Sequence, residues 1–221
     1  MKKAFLMAAL AAAVVGGALG CGGGRSGVKP APPSVSTFTD KRDGQVYKIV
    51  QIGSQSWFAE NLNYDVPDDT SDVCYENIAD YCAKYGRLYN WETALTVCPA
   101  AADYYLPTDD EWTTLIDYAG GKKKAGTKLK SSTGWRSYKK VPAGTDEYGF
   151  TALPGGYDNG FGGFVGAGLD GDWWSATKRD GGNAWGRFMT YQVEKVGRND
   201  NFKTDRNSVR CVANIRKEAQ K

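Results

Sequence analysis

Five cysteines, and where they fall, constrain this chain more than any other feature. Cys21 closes an N-terminal stretch in which Met1-Lys2-Lys3 is basic and Ala4 to Leu19 is apolar and uncharged. At about 16 residues the apolar run is short for a spanning helix, which needs roughly 20. It has the length of the apolar region of an export signal. An exported chain meets an oxidising compartment, so the even number left over, Cys74, Cys82, Cys98 and Cys211, predicts two disulfides in one of three pairings. Cys74 and Cys82 flank the polar loop YENIADY and suit a local clip. Cys98 and Cys211 would then tie the middle of the chain to its end. Zinc is the competing use of four cysteines, but no CxxC pair supports it.

Ala18-Leu19-Gly20-Cys21 resembles the lipobox of bacterial lipoproteins, in which the cysteine is acylated and becomes the new N-terminus. The resemblance implies a signal peptide over 1–20 and lipid attachment, palmitate chains among the acyl groups, at Cys21. Two or three acyl chains hold a protein durably where one is marginal. Residues 21–36 (CGGGRSGVKPAPPSVS) are rich in Gly, Ser and Pro and read as a tether, leaving 37–221 as one domain. Gly22 is not the Asp that often signals inner-membrane retention in enteric bacteria, so the expected location is the outer membrane or cell surface.

Composition narrows the chemistry. The chain has no His, which removes His-containing triads, His-ligated metals and His acid–base catalysis. A formal charge of +3 with 24% charged residues is too balanced for a protein that binds nucleic acid by neutralising phosphates. With 28 Gly and a 13% aromatic share, the pattern is a loop-rich fold packed around a few bulky anchors.

Strands are predicted on either side of the Asp43-Gly44 and Gly53-Ser54 turn signals, over Gln45 to Ile52 and Gln55 to Phe58. Asn90 is a candidate cap for a helix through Trp91, Ala94, Leu95 and Val97 that stops at Cys98-Pro99. Thr108 and Glu111 in PTDDEW form a capping box, and Trp112, Leu115, Ile116 and Ala119 follow at i, i+3, i+4 and i+7 as one buried stripe. Gly120-Gly121 ends that helix. Capping explains the Asp109, Asp110, Glu111 cluster better than catalysis does. Beyond Lys122 the chain reads as loops, with short strands at WWSA, AWGRF and SVRCV.

The segments GQVYKIVQIGSQSWFAENLNY, YGRLYNWETAL, LPTDDEWTTL, GFTALPGG, WWSAT and SVRCV occur in this order. Together they resemble the Fibrobacter succinogenes major paralogous domain family, exported bacterial proteins that often carry lipoprotein signals. LPTDDEW and RCV are also similar to the formylglycine-generating-enzyme branch of the C-type-lectin-like fold. The resemblance implies an α+β domain with two helices, a small twisted antiparallel sheet and long irregular loops. A disulfide from the first helix region to the last strand is typical of such folds and fits Cys98–Cys211. Where the family reads CPAGWHLP this chain has Cys98 to Pro107 with a longer insert, so the helix start near Tyr104 is expected to be repacked. The calcium-binding triplets of sugar-binding lectins and the reactive cysteine pair of the formylglycine-generating enzyme have no match, and fold alone does not carry an activity.

No catalytic constellation stands out, so the expectation is a non-enzyme without a cofactor. One reading is a cell-surface binding module for polysaccharide or another surface component, with Tyr157, Phe161 and Phe164 as candidate ligand contacts among glycines. The other is a structural envelope protein with protein partners and no small ligand. Asp65, Asp68, Asp69 and Asp72 could offer oxygen ligands to calcium, although a solvated acidic loop is the simpler reading.

Overall fold

A computed structural model describes residues 34–67 and 70–214. In chain order its elements are β1 (Val35–Thr39), β2 (Val46–Ile52), β3 (Gln55–Phe58), β4 (Asp72–Val73), α1 (Ala79–Tyr85), β5 (Leu88–Tyr89), α2 (Trp91–Val97), α3 (Asp109–Tyr118) and α4 (Ala125–Leu129). Then come β6 (Tyr157–Asp158), β7 (Phe164–Val165), β8 (Asp170–Lys178), β9 (Asn183–Thr190), β10 (Gly197–Phe202), β11 (Asn207–Ser208) and β12 (Val212–Asn214). The chain is α+β. One four-stranded sheet has the order β1-β2-β3-β12, a six-stranded sheet the order β10-β9-β8-β11-β5-β4, and β6 pairs with β7 alone.

The expected helices form where their signals lie. Asn90 accepts a hydrogen bond from the Thr93 N–H at the start of α2. At α3 both halves of the capping box are made, Glu111 N–H to Thr108 Oγ1 and Thr108 N–H to Glu111 Oε2. Two short helices were not expected. α1 begins in the loop between Cys74 and Cys82 and runs on past Cys82 to Tyr85, and α4 lies in the lysine-rich segment after α3. α4 is imposed by packing: Ala125, Thr127 and Leu129 are buried, and a Cβ on Gly126 would stand 2.6 Å from the Glu194 carbonyl. The single small sheet becomes three, and β8 and β11 run parallel. SVRCV does not form one strand; Ser208 ends β11 in one sheet and Val212 begins β12 in another. Val35 and Ser36, at the end of the segment read as tether, already pair with Val50 and Ile49.

Alternation along strands divides the core in two. Val50, Trp57 and Trp173 join Trp112, Leu115, Ile116 and Phe150 on the α3 side. Their chain neighbours Ile49, Phe58 and Trp174 join Trp91, Ala94, Tyr89 and Leu106 on the α2 side. Successive strand residues face opposite ways, so each adjacent aromatic pair gives one ring to each core. Every one of these buried indoles finds an acceptor, for example Trp174 Nε1–H to the Tyr89 carbonyl at 2.7 Å and Trp173 Nε1–H to Asn61 Oδ1 at 2.8 Å. Two disulfides close the frame, Cys74–Cys82 and Cys98–Cys211. Tyr104, in the longer insert, packs its ring 4.8 Å from that of Phe58 and 5.4 Å from that of Phe38.

Candidate functional site

The segments that carry the family resemblance converge on a buried hub. Arg210 of SVRCV is fully buried, and its Nε and Nη2 donate to Asn61 Oδ1 at 3.1 and 2.7 Å. It also donates to the carbonyls of Phe58 and Phe150. Asn61 Nδ2 returns to the Tyr85 carbonyl and to Ser208 Oγ. Burial pulls the Arg210 pKa down to about 9, with Asp146 and Glu60 opposing, so it stays charged at neutral pH. These residues satisfy one another and serve the fold.

The three aromatic candidates cluster on the β6–β7 hairpin without forming one surface. Register pairs Tyr157 with Val165 and Asp158 with Phe164, so Tyr157 and Phe164 leave on opposite faces. Phe164 is spent on packing, its ring 5.2 Å from that of Tyr75. Phe161, at the tip, is 89% exposed. Tyr157 is half-buried between the Gly156–Gly171 and Asp158–Arg206 bridges, and its hydroxyl pKa is raised by burial and then by the charges of Asp172, Asp205 and Asp170.

The carboxylates lead to residues that the sequence did not single out. On the α2 side of the six-stranded sheet, Asp172 of β8 stands opposite Phe188 of β9, and Phe188 opposite Gly197 of β10. On the other flank Ser208 pairs with Trp173, which sets Asn207 beside Asp172. The Phe188 ring lies across Gly197, where a Cβ would be 2.1 Å from Cζ. One rung along, Gly186 leaves room for Asn199 and Asn201, and a Cβ there would meet Asn201 Nδ2 at 2.5 Å. Asn199 Nδ2–H donates to Asn201 Oδ1 at 2.9 Å, which leaves Asn199 Oδ1 and Asn201 Nδ2 without protein partners. Asn207 Nδ2 is likewise unpartnered on a residue only 1% exposed. Burial and the neighbouring Asp170 push Asp172 up to about 7, against a hydrogen bond from Asn199. Buried polar atoms without partners are costly and uncommon in native proteins. This sheet face offers donors and acceptors in adjacent positions, the arrangement that hydroxyl groups satisfy because each both donates and accepts.

The acidic loop is differently used. Arg87 lies between Asp65 and Asp72, with Nη2 2.5 Å from Asp65 Oδ2 and Nη1 2.7 Å from Asp72 Oδ2. A guanidinium between those carboxylates opposes a cation there. Asp68 and Asp69 lie outside the described residues, as do Cys21 and the signal over 1–20. Among the described residues no group of three or more acidic or cysteine side chains is placed to hold a metal, and no helix is long and apolar enough to cross a membrane.

The sequence model of one family, described as Fibrobacter succinogenes major domain, matches residues 50–213. No curated protein and no solved structure matches the chain.

Proposed function

This chain belongs to the Fibrobacter succinogenes major domain family, and on that premise we propose that it is a non-catalytic binding module for hydroxylated surface ligands, polysaccharide foremost. The observation that carries the reading is the set of buried amides near Asp172 that lack protein partners, with Tyr157 half-buried near Asp172 and the ring of Phe161 exposed at the tip of the same hairpin as Tyr157. Sugars present vicinal hydroxyls on their edges and C–H faces that stack on aromatic rings, so such a face suits them. The fold is read as C-type-lectin-like. Supporting this are the α+β composition, the long loops between α4 and β8, and the Cys98–Cys211 bridge from the end of α2 to the last strands. The module is read as a lipoprotein, acylated at Cys21 and held at the outer membrane or cell surface by the motif that ends in that residue.

Retention on insoluble cellulose or xylan tests the binding reading. Wild type should be retained, and Phe161→Ala should weaken retention roughly several-fold, the loss of one aromatic contact. Tyr157→Ala should do the same. A wild-type protein that passes through every polysaccharide and captures an envelope protein instead would favour the structural role. Anchoring is tested separately: Cys21→Ser should move the protein from membrane to soluble fractions, and unchanged partitioning would refute the lipid.

A further inference from the structure

The opposite face of the same sheet carries a second cluster of charges. Arg187 of β9 and Arg198 of β10 are direct cross-strand partners. Like charges in that position repel. Both lean on a single carboxylate, Asp109 at the start of α3. Arg198 Nε–H donates to Asp109 Oδ2 at 2.9 Å. Arg187 Nη2 lies 2.6 Å from Asp109 Oδ1, but its directed hydrogen bonds go to the Asp109 carbonyl at 3.0 Å and Thr113 Oγ1 at 2.9 Å. Arg187 is only 7% exposed, and its Nε–H has no partner. Burial lowers its pKa, Asp109 opposes this, and Arg198 adds to the lowering.

The two guanidiniums line a groove of about 370 Å³ between α3 and the β9–β10 edge, together with Asp109, Thr113, Asp117 and Lys122. Three cations and two carboxylates line it, and Asp110 also acts on Arg187 from the first turn of α3. Arg198 is held in place from outside, with its guanidinium carbon 3.4 Å from the centre of the Trp185 ring. Arg179 lies over the same ring at 5.5 Å and pairs with Asp200. A guanidinium on an aromatic face keeps its N–H edges available for in-plane bonding.

From this we infer that the groove is a binding site for a carboxylate anion. A carboxylate bound there gives two adjacent guanidiniums that share Asp109 a second counter-charge, relieves the repulsion between them and accepts from planar donors suited to it. The site is independent of the Asp172 face, from which the sheet separates it.

The test is calorimetric titration of the purified protein at low salt with acetate, with an oligogalacturonate and with the corresponding neutral oligogalactoside. Oligogalacturonate should bind wild type, and Arg198→Gln or Lys122→Gln should weaken it about tenfold or more, as expected for a lost charge-assisted hydrogen bond. The weakening caused by Arg198→Gln and Lys122→Gln should persist in the Asp172→Asn background. Acetate binding as tightly as the oligomer would identify a free carboxylate as the ligand, whereas oligomer alone would identify a uronate within a saccharide. Equal affinity of wild type, Arg198→Gln and Lys122→Gln for every carboxylate, or no carboxylate binding to wild type, would overturn the site. Loss of neutral-saccharide binding in Asp172→Asn alone reports on the other face and leaves this one standing.

Discussion

A carboxyl taken out of water and set beside another carboxylate keeps its proton to higher pH than one in solution. Asp172 is such a group, raised from the ordinary 3.8 to about 7 by burial first and by Asp170 second. Between those values the folded protein holds a proton that the unfolded chain has released. Stability therefore falls as pH rises through that window and levels off above about 7. Asp172→Asn has no proton to lose. Urea midpoints measured at pH 5 and pH 8 should drop further for wild type than for the variant, and equal drops would mean that Asp172 titrates normally. Nothing in the segment DGDWW announces this residue. Its environment is assembled by Asn199, Asn201 and Asn207, which reach it only through strand pairing. Tyr157 and Phe161 were legible as ring-bearing loop residues, but which of their faces would be free depended on hairpin register.

At the scale of elements, local signals and tertiary demands separate cleanly. α3 was readable because its cap, its stripe and its glycine stop all lie within the helix or next to it. The cap also positions function, since Asp109 directly follows Thr108 and holds both groove arginines. Thr108→Ala should cost about 1 kcal/mol by chemical denaturation, the usual loss for an N-cap. A loss near zero would show that burial of Trp112 and Leu115 alone sets the helix. β10 was not readable because Gly197, Asn199, Asp200 and Asn201 are poor strand formers in isolation. It is a strand because six successive residues pair with β9. β4, β5 and β11 are too short for any period to show, and α4 exists because its backbone fits closely against Glu194 and Lys195.

For the whole molecule, long-range ties decide what stays together. Cys98 and Cys211 are separated by 113 residues, Cys74 and Cys82 by 8. Cross-linking restricts the unfolded chain more when the loop is longer, giving upper values of about 4.8 and about 2.6 kcal/mol. Thermal melts should therefore show a larger fall for the Cys98→Ala/Cys211→Ala variant than for Cys74→Ala/Cys82→Ala, and the reverse order would place the constraint in the native state. The even cysteine count, the Cys74–Cys82 clip and the aromatic anchors were visible in the chain because they depend on residue type and local spacing, whereas the α+β class and the fit of Cys98–Cys211 to it came through the family resemblance. The six-stranded sheet that carries both candidate sites was not visible, because its order interleaves strands from distant parts of the sequence.

β1 occupies one border of the four-stranded sheet, and β12 the other. Four of the five residues in β1 are exposed, and its rungs run from Val35–Val50 to Thr39–Val46. Tension that reaches Ser34 and pulls away from the sheet loads the open end of that hairpin, so its rungs part singly, beginning at Val35. The remaining strands are spared, because β12 follows directly on Cys211, which a disulfide ties to Cys98. Under drag, a module built this way lengthens at its border before its interior gives.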